Sequence, residues 1–409
     1  MQKVNTKACD ASVLVKEGDP KGVWGAIGKP PSIIVGAGIA GGTIARRLAE
    51  AGRQVLLLDR RPHIAGNAYD SPDAHGIRVQ RYGPHIFHTS DEAVYRWITR
   101  FCEPEPYRPT TAAVIDGIST PVPLNFKTID QFYTPEEAAL LKGKLQDSYP
   151  GRDSVPVTEL LQAADPDILA FAEFLFEKDY KLYTAKQWNL KPEEVDPSVL
   201  ERVPVLLSYA DRYTDRWQFI PRGGFTAFYR RMVDHPNITV RLETDALEHL
   251  SLDGDAGKIL FDGEECPVVW TGAVDELFGY RFGVLPYRSL RFDFRSLEQE
   301  SFQEAAVTAY PQAEGYTRIT EYTKIPPQDG HGWTSIAIEY PMAVDSGTGN
   351  EPYYPVLTAE SQELNARYQE YAKRFTNLTL CGRLATFRYL EMDQVIKEAL
   401  EETSNGTEI

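Results

Sequence analysis

The chain has 409 residues, enough for about two to three domains and a sizeable buried core. Its formal net charge of −16 argues against nucleic acid and anionic membrane surfaces as partners, while a local basic cluster would still admit an anionic small molecule. No apolar run reaches membrane-spanning length, and Cys9, Cys102, Cys266 and Cys381 show no CxxC pairing, which reads as reduced thiols in a cytoplasmic protein.

Residues 1–30 carry several Lys, Asp and Gly and no signal-peptide apolar block, so a mobile extension is expected there. Ile33 to Val35 then read as a short buried strand. Ala40, Ile44, Leu48 and Ala51 recur at helical spacing, Gly52 ends that helix, and Val55 to Leu58 form the next strand. Between the first strand and the helix stands Gly36-x-Gly38-x-x-Gly41. Gly36 permits a tight turn, Gly38 lets a pyrophosphate approach the backbone, and Gly41 lets helix and strand pack closely. The helix N-terminus offers N–H groups and a positive dipole end to that anion. Asp59, at the end of the second strand, is placed to accept from an adenosine ribose hydroxyl. Strand, helix and acid stand in the order that dinucleotide binding requires.

Leu124 to Tyr149 contains a Pro135-Glu-Glu helix start followed by Ala138, Leu141 and Leu145, and Val157 to Lys186 is a second helical stretch rich in Leu, Phe and Tyr. From Asn237 onward strand signals dominate, over 238–242, 258–261, 268–271, 288–294, 317–321 and 335–339. A helix over 360–375, a buried strand over 378–382 and a closing helix over 393–402 complete the chain. This order predicts an α/β fold, a Rossmann-like cofactor domain with a helical insertion and a mostly antiparallel β-sheet domain. The cofactor domain is expected over 31–95 with 223–285 and 356–402, the helical domain over 96–190, and the sheet domain over 191–222 with 286–355.

Further motifs follow in order: Arg60-Arg-Pro-His-Ile-Ala-Gly-Asn67, Arg81-Tyr-Gly-Pro-His-Ile-Phe-His-Thr89, Tyr183-Thr-Ala-Lys-Gln-Trp188, Tyr287-Arg-Ser-Leu-Arg-Phe292, Tyr316-Thr-Arg-Ile-Thr-Glu321, Glu351-Pro-Tyr-Tyr-Pro355 and Gly382 to Asp393. In this order and spacing they resemble the flavin-dependent UDP-galactopyranose mutases of bacterial type, over roughly residues 32–400. The resemblance implies an FAD protein whose reduced flavin interconverts pyranose and furanose forms of a nucleotide sugar through a covalent bond from flavin N5 to the sugar. It implies Gly36, Gly38, Gly41, Asp59, Arg60, Asn67, His88, Arg383, Met392 and Asp393 at the cofactor. Arg318, Tyr354, Tyr389 and His85 are implied in catalysis, with Tyr180, Tyr183, Trp188, Trp217 and Arg288 joining Arg318, Tyr354 and Tyr389 around the substrate. A guanidinium fork suits phosphate oxygens, so Arg318 is the expected diphosphate clamp. NAD(P)H or another reductant would keep the flavin reduced, and a homodimer or larger homo-oligomer is compatible with the family. No metal is expected: His85 and His88 have metal-like spacing but no carboxylate motif beside them.

The substrate motifs depart from the family pattern while the cofactor motifs do not. Leu206 stands where an arginine follows Pro204 by two residues, Trp217 where tyrosine is usual, Phe219 and Asn189 where glycine is usual, and Ala309 near an expected asparagine. Asp179 and Leu182 occupy an aromatic-and-glycine stretch before Tyr183. A working flavoprotein with an altered substrate is the expectation, with Arg202, Arg212, Arg216 or Arg222 as replacements for the missing charge. Residues 190–204 resemble a mobile lid over the pocket. Two rival readings share the fingerprint: an FAD-dependent oxidase or dehydrogenase of the amine-oxidase or desaturase type, and a catalytically impaired nucleotide-sugar-binding flavoprotein.

Overall fold

The computed structural model describes residues 31–186, 204–210, 215–344 and 350–404, together with the backbone of 187 and 188. The expected extension over 1–30 lies outside the described residues, as does nearly all of the expected lid.

Five parallel strands form the cofactor sheet, in the order Ile238–Arg241, Val55–Leu58, Ser32–Val35, Val268–Trp270 and Leu378–Leu380. Ile33, Ile34, Leu57 and Leu58 are fully buried, as runs of β-branched and aliphatic residues covered on both faces require. The helix Ile39–Glu50 follows the first strand directly, and the closing helix Met392–Ser404 packs against it. That approach depends on small residues. A Cβ on Gly41 would lie 2.0 Å from the Gly36 carbonyl oxygen, and one on Gly42 would lie 2.5 Å from the Tyr229 ring.

The second sheet has seven strands, in the order Tyr354–Pro355, Tyr287–Leu297, Thr334–Ala343, Arg318–Glu321, Val307–Ala309, Thr111–Ile115 and Ile118–Pro121. All neighbours are antiparallel except Val307–Ala309 with Thr111–Ile115, which run parallel. The last two strands fall inside the stretch that the sequence assigns to the helical domain. Asp116 and Gly117, at φ 48° and 82°, turn the chain into a tight hairpin, and Ala113 and Ile115 bury one face of it against the helical core. The Asp-Gly pair between two short apolar runs carried that signal.

The helical unit comprises Phe126–Phe132, Pro135–Ser148, Val157–Leu160, Pro166–Leu175 and Lys181–Trp188, with a wider turn over Phe176–Tyr180. Asn125, Thr134 and Asp165 cap three of these starts with their side chains. Leu141, Leu145, Ile168, Phe171 and Leu175 close its core, each fully buried side chain contributing about 1.5–3 kcal/mol. A small sheet of Phe87–Thr89, Trp217–Pro221 and Pro104–Pro106 packs into the core around the helix Ile39–Glu50 through Phe87, Phe219 and Ile220.

Replacing Gly41 by alanine is expected to destabilise the fold by about 1–3 kcal/mol, because the new methyl meets backbone rather than a movable side chain. The denaturation midpoint measures this, and an unchanged midpoint would refute the packing described.

Candidate functional site

A cavity of about 380 Å³ opens at the carboxyl ends of the cofactor-sheet strands. Gly36, at φ 104°, turns the chain under it, in a position where a Cβ would lie 2.0 Å from Thr271 Oγ1. No side chain caps the helix that starts after Gly38, and its first turn has no acidic residue, so its N–H groups remain available to an anion. Arg383, two residues beyond the buried thiol of Cys381, lines the same cavity.

Asp59 does not match the expected ribose contact. Its carboxylate accepts from Ala37 N (2.9 Å), Arg61 N (2.9 Å), Arg61 Nε (3.1 Å) and Arg61 Nη2 (3.1 Å). These bonds fill about four acceptor positions, all that a carboxylate has. Asp59 therefore holds the glycine loop to Arg61, and Arg61 in turn donates to Asn67 Oδ1 at 3.0 Å. Arg60 pairs with Glu276 at 2.7 Å and Glu351 at 3.5 Å on the cavity rim.

At the other end stand His85 and His88, in different states. His85 Nδ1 lies 2.8 Å from the Gly83 carbonyl, which assigns the proton to Nδ1 and leaves Nε2 as the acceptor. Burial pushes its pKa down to about 4, so the ring is neutral near pH 7. The buried Gln80 side chain bonds both the His85 N–H and carbonyl and fixes the residue in place. His88 faces Glu391 at 3.1 Å and Asp215 at 2.8 Å through its two nitrogens, and these carboxylates raise its pKa, Glu391 most.

Beside the cavity, guanidinium groups gather around one phenol. Strand register places Arg288 opposite Tyr354 and Arg318 opposite Glu339. Arg318 Nε donates to the buried Glu339 carboxylate at 2.8 Å. The Tyr354 ring stacks on Tyr389 at 4.8 Å and lies 4.2 Å from the Arg383 guanidinium and 5.0 Å from that of Arg288. Burial alone would raise the Tyr354 phenol, but Arg383, Arg318 and Arg288 outweigh it and hold its pKa below the ordinary value. Tyr183 belongs to this group, its phenol pushed up to about 12 by burial, with Arg318, Glu339, Arg288 and Asp179 as its charged neighbours.

Gly36, Gly38, Asp59, Arg60, Asn67, His85, His88, Tyr354, Arg383, Tyr389 and Met392 thus line one cavity, and Arg288, Arg318 and Tyr183 meet it through Tyr354. Other expected residues are not brought there. Gly41 serves helix packing. Asp393 sits in the first turn of the closing helix, where Gln394 N donates to its side chain at 2.8 Å. Tyr180 is buried in the helical core, and Trp217 stacks on Tyr95 at 4.3 Å. Leu206 pairs with Ser154 in a ribbon, between the core residues Val205 and Leu207. Arg216 covers the Trp217 ring and Arg222 pairs with Glu103, so neither reaches the arginine cluster. The Trp188 side chain, Asn189, Arg202 and Arg212 lie outside the described residues. Sequence reasoning missed Arg61, Glu339, Gln80, Asp215 and Glu391. Only Arg61 carried a local signal, since it stands two residues from Asp59. Among the described residues no group of three His, Cys, Asp or Glu side chains is arranged to hold a metal ion, and no helix is long and apolar enough to cross a membrane.

A family profile described as UDP-galactopyranose mutase matches residues 178–389, and one described as NAD(P)-binding Rossmann-like domain matches 34–102. The dTDP-fucopyranose mutase of Escherichia coli is 34% identical over 90% of this chain and 96% of its own length. The probable UDP-galactopyranose mutase of Klebsiella pneumoniae is 35% identical over 90% of this chain and 92% of its own. In fold, the chain is similar to a reduced UDP-galactopyranose mutase, with a TM-score of 0.67 and 17% identity over 92% of this chain and 93% of that one. A putative protoporphyrinogen oxidase from Exiguobacterium shares the fold at a TM-score of 0.59 and 14% identity, over 92% and 98% of the two chains.

His88 gives a pH signature. Its folded pKa lies above the unfolded value of about 6.5, so its stabilising contribution is whole below that pH and is lost as pH rises through the folded pKa. In wild type, denaturation midpoints should fall on going from pH 6 to pH 8 by more than in His88→Gln. Equal falls in the two proteins would show that the clamp with Glu391 and Asp215 does not hold.

Proposed function

The chain belongs to the UDP-galactopyranose mutase family, and from that membership we propose that it interconverts the pyranose and furanose forms of a nucleoside diphosphate sugar, with reduced FAD as its cofactor. The family makes it an isomerase of the sugar-nucleotide mutase class. The observation that carries the reading is the convergence of Arg288, Arg318 and Arg383 on Tyr354, at the edge of the cavity. The nucleotide is proposed to be UDP or dTDP, as in the relatives' names, and the sugar is left wider than galactose because the pocket motifs depart from the family pattern.

The cavity fits a flavin dinucleotide on this structure's own evidence: an uncapped helix start beside a glycine turn, with Arg383 across from it. In this proposal Gly36, Gly38 and Arg383 hold the pyrophosphate, Arg60 and Asn67 flank the ribose and ribityl groups, and Met392, His85 and His88 border the ring system. Bound and reduced there, a flavin would supply a nucleophile for the anomeric carbon of the sugar.

The protein's own part is electrostatic and acid–base. Arg318 and Arg288 grip the diphosphate and stabilise the negative charge that grows as the anomeric C–O bond breaks. Tyr354 and Tyr389 add hydroxyl donors, and the lowered pKa of Tyr354 makes its proton the easier one to share. Neutral His85, with Nε2 as acceptor, can take a proton from the sugar hydroxyl that recloses the ring. NAD(P)H or another donor would be needed only to restore flavin lost to oxidation, not once per turnover.

Protein reduced with dithionite should convert UDP-galactose or a dTDP-hexopyranose to a furanose isomer, resolved by chromatography, while the oxidised protein should not. Arg318→Ala should lower kcat/KM by about 10²–10³ and leave flavin content unchanged. Nicotinamide consumed in step with product, or furanose formed equally by the oxidised protein, would overturn the proposal.

A further inference from the structure

We propose that the open edge of the strand Tyr287–Leu297 is an interface at which two copies of this chain join their seven-stranded sheets, antiparallel and centred on Phe294. This goes beyond the reaction and does not rest on it.

The strand has 11 residues but only one complete neighbour. Thr334–Ala343 pairs with it in unbroken register, from Arg288 opposite Ala343 to Leu297 opposite Thr334. On the other side Tyr354–Pro355 covers only Tyr287 and Arg288. Backbone bonds fix which residues face which way. The Tyr287 carbonyl accepts from Val344 N on the paired side, while the Pro286 and Arg288 carbonyls accept from Val356 N and Tyr353 N on the other. By alternation, the N–H and C=O groups of Leu290, Phe292, Phe294 and Ser296 point to the open side. No backbone group among the described residues pairs with them there.

Natural edges are usually short, bulged, covered or interrupted by proline. The opposite edge of this sheet obeys that rule, since Ile118–Pro121 has four residues and ends in proline. The stretch 290–297 has no proline, no lysine and no bulge. Arg81 lies over the Phe294 ring and Asp73 accepts from Ser296 Oγ, but the hairpin of Asp70–Pro72 and Arg78–Gln80 pairs only with itself and leaves the edge open. Phe294 remains 37% exposed.

Charge points to a second copy as the occupant and sets the register. Arg291, Asp293 and Arg295 stand on the face away from Phe292 and Phe294, and Asp293 pairs with Arg295 at 2.6 Å. A twofold axis at Asp293 would set Asp against Asp and Arg291 against Arg295, like charges that repel. An axis at Phe292 would place the second copy's Ser296 opposite Arg288, where Tyr354 already sits. An axis at Phe294 avoids both faults. Asp293 then faces the second copy's Arg295, and Arg295 its Asp293. The two Phe294 rings lie side by side, and Phe292, Phe294 and Ser296 each exchange both backbone hydrogen bonds with a facing residue. Such a pairing uses both open edges and closes on itself.

The test is the oligomeric state of the full chain, measured by analytical ultracentrifugation over a micromolar range. Wild type should sediment at twice the chain mass. Phe294→Pro removes an N–H that bonds nothing within the sheet, so the fold should hold while the dimer Kd rises about 10²-fold from lost hydrogen bonds and ring contact. Arg295→Asp should raise the Kd about tenfold by setting Asp against Asp. Asp293→Arg combined with Arg295→Asp exchanges the two charges and should restore the wild-type Kd, a pattern of loss and rescue that neither other axis gives. The denaturation midpoint checks that each variant is folded. A wild type that stays monomeric, a dimer that survives both single variants, or a double variant that fails to reassociate would overturn the proposal.

Discussion

The site depends on guanidinium charge held in a recess where little water reaches to screen it. Arg288 is almost fully buried and Arg318 is largely so, and removing such groups from water is costly unless charge or hydrogen bonds compensate. Sheet register supplies part of the compensation. Arg318 is paired across the strands with Glu339, whose carboxylate outweighs the burial and keeps the guanidinium charged. Arg288 is paired with Tyr354, and there burial lowers its pKa. The remaining positive potential is felt by the Tyr354 phenol, which is the electrostatic imprint of a site made for an anion. A one-residue slip of either pairing would turn these side chains to the opposite face and dissolve the cluster.

The cofactor end obeys a different constraint, close approach of backbone to backbone. Gly36, Gly41 and Gly66 leave room where a side chain would collide with Thr271, with the Gly36 carbonyl or with Gly38. Asp59 and Arg61 lock this loop from beneath through both oxygens of one carboxylate. The two ends meet at Tyr354, Tyr389 and Arg383, so the arginine cluster and the cavity share walls. That shared wall is what a reaction between a cofactor ring and a nucleotide sugar needs.

Much of this was legible in the chain. The strand Ser32–Val35, the glycine turn, the helix Ile39–Glu50 and the strand Val55–Leu58 follow from local pattern, because each is fixed by its own residues. Arg318, Tyr354 and Tyr389 were singled out by motif order. Glu339 was not, since its meaning arises only from pairing across a sheet with a residue 21 positions away. Trp217 was misplaced for a similar reason: an aromatic residue near a site is as readily a partner for Tyr95, and only packing decides. Asp59 was assigned to ribose because the side chain of Arg61, which saturates it, leaves no trace in a strand-and-acid pattern. The strands Thr111–Ile115 and Ile118–Pro121 were absorbed into the helical unit because they are short and flanked by helices on the C-terminal side.

The central claim is that the bond from the anomeric carbon to the β-phosphate oxygen breaks and re-forms between Arg318 and the flavin ring. A nucleotide sugar carrying a heavy-oxygen label in that bridging position tests it by phosphorus NMR. With the reduced protein, the label should migrate to the non-bridging oxygens of the β-phosphate at a rate that keeps pace with furanose formation. Furanose accumulating while all of the label stays in the bridge would contradict the account.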